Sequence, residues 1–114
     1  MEKRNRREKE AAVHVAVDPG ICAFKCFIHV YMNGKNSIRF EIQSDCDQIK
    51  KLARELGVIG LKDLFLPQSR NPIFLCAEKS KCHLACPVPC SLIKAAEVAL
   101  GLALPKGVVI SFET

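Results

Sequence analysis

Asn33-Gly34 stands between two runs in which apolar and polar residues alternate, and this arrangement narrows the fold more than any other stretch of the chain. Asn-Gly readily supplies the positive backbone angles that a tight turn between antiparallel strands requires, so the flanking runs are expected to pair as a hairpin around residues 33–36. Before the turn, Ile21 to Met32 reads as a strand with Cys22, Phe24, Cys26, Ile28, Val30 and Met32 on one face. After it, Ser37 to Gln43 places Ile38, Phe40 and Ile42 inward, with Arg39, Glu41 and Gln43 outward. The period of two is the mark of a strand with one wet face.

A third strand precedes these two. Val13, Val15 and Val17 alternate with His14 and Ala16, and Asp18-Pro19-Gly20 then turns the chain, with glycine supplying a positive φ. Three helical patterns come after the strands. The first begins at a Ser44 or Asp45 cap, carries the stripe Cys46, Ile49, Leu52, Ala53 and Leu56, and ends at Gly57. Val58 to Leu66 is read as a connector with one helical turn. Asn71-Pro72 forms the cap and first position of a short helix through Lys79, with Ile73, Cys76 and Ala77 inward. The last helix is expected from Pro87 to about Ala103, followed by a strand over Val108 to Phe112 that joins an edge of the sheet.

The order β-β-β-α-α-α-β implies an α+β two-layer sandwich, with a mostly antiparallel sheet of about four strands and helices on one face. At 114 residues and 49% hydrophobic content, the chain suits one domain over residues 11–114, preceded by a charged tail over residues 1–10. No apolar run reaches the ~18 residues of a membrane span, and the charged start lacks the apolar stretch of a signal peptide, so a cytoplasmic location is expected. The formal charge of +5 includes five basic and three acidic residues in Met1 to Glu10. Lys50, Lys51 and Arg54 read as the solvated face of a helix, tryptophan is absent and there is one tyrosine, all of which argue against nucleic-acid binding. An exposed edge strand would allow a homodimer to form through the sheet.

Seven cysteines carry the chemistry. In a reducing cytoplasm they point to metal ligation, redox chemistry or core packing rather than a disulfide framework. Cys82, His83, Cys86 and Cys90 crowd the approach to the last helix, where Pro87 and Pro89 mark a helix entry. Cys86 is expected near the cap and Cys90 one turn in, on a shared face, where the positive end of the helix dipole favours thiolate. Cys22 and Cys46 also sit at element starts, so one end of the sandwich is expected to collect Cys22, Cys46, Cys86 and Cys90, with His83 or Cys82 as a substitute or neighbour. Cys22 and Cys26 would lie ~13 Å apart in one strand, and could share an ion only if the strand began after Cys22. Cys26 and Cys76 are read as core packing, Cys82 as a surface thiol beside Lys79 and Lys81, His14 and His29 as solvated strand residues, and Asp18 as a turn former.

Four thiolates suit zinc or an iron–sulfur centre. Two further readings stand beside this one: thiol redox or sulfur transfer, with Cys86 attacking and Cys90 resolving, and an interaction module with structural cysteines and a contact surface at Val58 to Leu66. No Cys-x2-Cys pair, phosphate loop, dinucleotide fingerprint or nucleophile elbow is present, so the motifs name no reaction.

The blocks Asp18-Pro19-Gly20-Ile21-Cys22, Ser44-Asp45-Cys46, His83-Leu84-Ala85-Cys86-Pro87-Val88-Pro89-Cys90 and Gly101-Leu102-Ala103-Leu104-Pro105 resemble a family of short, functionally uncharacterised proteins from anaerobic bacteria and archaea. The likeness spans nearly all of the chain after the tail. It implies no known activity, but an oxygen-poor cytoplasm would favour thiolate and iron–sulfur chemistry.

Overall fold

Strands β1 (Val13–Val17), β2 (Cys26–Met32) and β3 (Ser37–Ser44) form consecutive antiparallel ladders, and the two-residue β4 (Ile59–Gly60) completes a sheet of order β1-β2-β3-β4. The structure, a computed structural model, describes residues 10–114; the expected charged tail, Glu10 apart, lies outside the described residues. The hairpin turn is where Asn33-Gly34 places it, with Gly34 at φ 91° and the Asn33 amide donating to the Ser37 carbonyl at 2.8 Å. Its register sets Ile28 opposite Ile42 and Val30 opposite Phe40. Cys26, Ile28, Val30 and Ile38 are consequently buried on one face. Helix α1 (Asp47–Glu55) packs over β3, and α3 (Val88–Ala99) lies over β1 and β2. Helix α2 (Pro72–Lys79) contacts both other helices.

The core that joins these layers is aliphatic. Ile28, Ile38, Leu52, Ile59, Ile73 and Leu92 are all fully enclosed. Burial of each such side chain contributes about 1.5–3 kcal/mol relative to exposure. At α2, the Asn71 side chain accepts a hydrogen bond from the Ile73 amide at 2.9 Å, and its own amide group donates to the Asp63 carbonyl at 2.9 Å. The cap therefore also holds the preceding 3-10 turn, Leu61–Phe65, against the helix.

The α+β sandwich stands, with four differences in its parts. Strand β2 starts at Cys26 rather than Ile21, because the chain turns twice after β1. Gly20 has φ 88°, the Ala23 amide donates to the Gly20 carbonyl, and Ala23 itself has φ 64°, which no strand accommodates. Phe24 and Cys22 are exposed as a result. Helix α1 is capped at Cys46, since the Ser44 hydroxyl is occupied in accepting from the Cys46 amide. Helix α3 stops at Ala99, four residues early: Gly101 at φ 80° lets its amide donate to the Val98 carbonyl while the Leu102 amide donates to the Glu97 carbonyl, closing the helix end. Finally, the fourth strand comes from Ile59–Gly60, pairing with Ser37 and Ile38, while Val108 to Phe112 pairs with nothing among the described residues.

Candidate functional site

Three separate closures bring cysteines to one end of the sandwich. Cys26 opens β2 directly opposite Ser44 of β3, and two residues beyond Ser44 the chain reaches Cys46 at the start of α1. The hairpin register thus delivers two thiols to the same margin of the sheet. The Cys46 sulfur lies 3.2 Å from the Gln48 side-chain oxygen.

Cys82 arrives from the end of α2. There Lys81 adopts φ 60°, its amide donates to the Glu78 carbonyl, and the Cys82 amide donates back to the Ala77 carbonyl at 3.0 Å. This closure reverses the chain and presses Cys82, half-buried, against the core. Cys86 comes next, through a turn in which its amide donates to the His83 carbonyl at 3.0 Å. It too packs against the core.

The electrostatics of these thiols identify them as one group. Burial pushes Cys26 up to about 11 from an ordinary 9.0, and charge on Cys86 and Cys46 pushes the same way. Burial likewise raises Cys82 to about 11, with Cys86, Cys46 and Cys76 adding to it. Cys86 is raised by burial, opposed by the Val88 backbone amide at the start of α3, and raised further by Cys46 and Cys22. Cys46 and Cys86 therefore lie within electrostatic reach of each other and of both Cys26 and Cys82, with Cys22 and Cys76 at the margins. Cys76 is raised by burial as well, the Ser80 hydroxyl beside it opposing the shift, and its thiol points at the Leu52 carbonyl 3.7 Å away. The expected helix-start activation is present at Cys86 in the Val88 amide, but desolvation outweighs it, so the thiol form is favoured. Among the described residues, no three His, Cys, Asp or Glu side chains stand arranged to hold a metal ion, and all seven cysteines are free thiols.

Cys90 goes elsewhere. Cys86 precedes Pro87 at the cap position and is not part of α3, so the rule that residues four apart share a helical face does not reach it. Cys90, two residues inside the helix, is exposed and lines a groove of about 180 Å³ with Leu64, Leu66, Phe74 and Ile93. His83 is exposed, in the loop between α2 and α3. Cys22 is exposed in the loop ahead of β2, and the strand does begin after it, as sharing an ion with Cys26 would require.

Sequence reasoning passed over Cys26 as a member of this group and placed Cys82 in it only as a substitute or neighbour. Cys26 was legible as core, and its neighbourhood with Cys46 is a consequence of the hairpin register. The inward turn of Cys82 carried no signal, because the closure that makes it has lysine where glycine normally marks such a turn. Away from the thiols, His14 and His29 face each other across β1 and β2, their Nδ1 atoms 2.7 Å apart and their rings edge to face.

A family of unknown function, DUF6951, matches residues 13–112, and the chain belongs to it. No curated protein and no solved structure matches the chain. Among the described residues, no helix is long and apolar enough to cross a membrane.

Proposed function

We propose that this member of the family binds a thiophilic metal centre, zinc or iron–sulfur, through Cys46, Cys82 and Cys86, with Cys22 closing from its loop and Cys26 beneath. What supports this reading is that Cys46, Cys82 and Cys86 all pack against the core that holds Cys26, and that Cys26 opens β2 opposite Ser44, two residues before Cys46. Several thiolates cannot share a desolvated place without a cation, and burial and mutual repulsion raise Cys26, Cys82 and Cys86. A soft cation reverses that balance and displaces the protons. Binding requires the side chains to turn toward a common point, since none of the described trios is so arranged as it stands. Residues 21–25 are all exposed, so moving Cys22 inward disturbs no core contact.

Anaerobic purification without chelator, followed by elemental analysis and a cobalt(II) titration read at the thiolate-to-metal absorption, tests the reading. One equivalent of metal or cluster per chain is expected, lost in Cys46→Ser, Cys82→Ser and Cys86→Ser and kept in Cys90→Ser. Protein that carries no metal and takes none up would defeat it. Uptake should release protons and weaken as the pH falls, because the ligand thiols must ionise to bind.

Thiol redox chemistry has one observation in its favour, the Val88 amide that opposes the rise at Cys86. Its weakness is the placement of Cys90, the intended resolving thiol, in a separate groove.

A further inference from the structure

Residues 101–114 form an arm in which every residue is exposed. Leu104, Ile110 and Phe112 are 86%, 83% and 96% exposed, and residues 107–114 make no backbone hydrogen bond among the described residues. Yet Val108-Val109-Ile110-Ser111-Phe112 is β-branched and aromatic, the composition of a strand, and Val108, Ile110 and Phe112 would share one apolar face. Large apolar side chains left in water in such a run mark a contact surface.

The same chain also presents an unfilled place for a strand. β1 is an edge of the sheet and pairs only with β2, so the outer backbone groups of Val13–Val17 have no ladder partner among the described residues. Both segments are five residues long. The other edge is less open, because β4 already occupies Ser37 and Ile38 of β3.

We propose that Val108–Phe112 of one copy adds to the β1 edge of a second copy, and that the exchange is reciprocal. A strand seated there extends the inner face made by Val13, Val15 and Val17, and its Val108, Ile110 and Phe112 continue the core beneath α3. The six residues 102–107 span up to about 20 Å when extended, enough to bridge two adjoining bodies. A second copy is the occupant because one chain supplies both a spare strand and a spare edge, so a two-fold exchange satisfies both and closes. Counting both arms and the surface they cover, the exchange removes on the order of 1,500 Å² from water, the size of a stable interface. The arm contains no cysteine, so this inference is independent of the thiol centre.

Light scattering coupled to size exclusion on the full chain under reducing conditions, with and without EDTA, is the first test. A mass of twice the 12.6 kDa chain is expected in both. Ile110→Asp combined with Phe112→Asp should halve that mass while leaving the circular dichroism of the body intact, because these side chains are exposed in their own chain. Hydrogen exchange should show Val109 to Phe112 and β1 protected together in the dimer and unprotected together in the variant. A monomeric wild type, a dimer that survives the double substitution, or arm protection in a monomer would each overturn the proposal. So would an arm that stays unprotected until another protein or a lipid vesicle is added.

Discussion

Two helices of this protein end in the same backbone closure with opposite side-chain choices. At the end of α2 the left-handed position is Lys81, φ 60°, and at the end of α3 it is Gly101, φ 80°. Both closures make the same pair of bonds, to Glu78 and Ala77 in one and to Val98 and Glu97 in the other. A side chain with a Cβ loses on the order of 1 kcal/mol in this conformation and glycine loses nothing. The chain takes a different course beyond each closure. After Lys81 it turns Cys82 into the core beside the other thiols, while after Gly101 it runs out into solvent. The strained end is tolerated where the next residue is packed, and the relaxed end occurs where nothing beyond it holds the chain back.

The difference can be broken from either side. Alkali should strike the α2 side hardest. Cys26 and Cys82 remain protonated in the fold up to about 11, whereas the unfolded chain ionises near 9.0, so between these values the unfolded state binds fewer protons. Metal-free stability should therefore be level below pH 9 and fall as the pH climbs toward 11. Thermal melts across that interval in reductant would show it, and a flat profile would mean that the fold does not hold these thiols protonated. Next in size, Asn71→Ala removes the cap at the start of α2 and its bond to Asp63, at an expected loss of about 2 kcal/mol in urea unfolding. Gly101→Val puts a β-branched side chain where φ is positive, although no atom lies near enough to clash. A loss of about 1–2 kcal/mol is expected, with the reactivity of Cys82 toward iodoacetamide unchanged. Smallest and of opposite sign, Lys81→Gly should gain up to about 1 kcal/mol. A loss there instead would show that the lysine side chain does more than occupy the turn.

The parts of this molecule that could be read from its sequence are those decided by local chemistry. Asn33-Gly34 and the alternation around it place the hairpin and its buried face, and Asn71-Pro72 marks the start of α2 to the residue. What escaped reading depends on tertiary placement or on residue types that disguise their backbone. Ala23 and Lys81 take the left-handed conformation without glycine to announce it, so the late start of β2 and the inward turn of Cys82 were hidden. Gly101 did announce itself, and the α-helical composition running past it to Ala103 outweighed the signal. Ile59 joins the sheet because it is enclosed by the core, a fact that two residues of strand cannot state in sequence. For the thiols, Cys46 stands at the cap of α1 and Cys86 just ahead of α3, as the element starts suggested, while Cys86 lies outside the helix and so shares no helical face with Cys90.

The contact between His14 and His29 has a consequence of its own. Because the two Nδ1 atoms face each other at 2.7 Å, a single hydrogen must serve both, one ring donating it and the other accepting. In the neutral pair the rings are therefore opposite tautomers, one bearing its proton on Nδ1 and the other on Nε2. Two residues of the same type, directly across from each other on adjacent strands, are chemically inequivalent for that reason alone, and their ring nitrogens should give two distinct nitrogen-15 patterns.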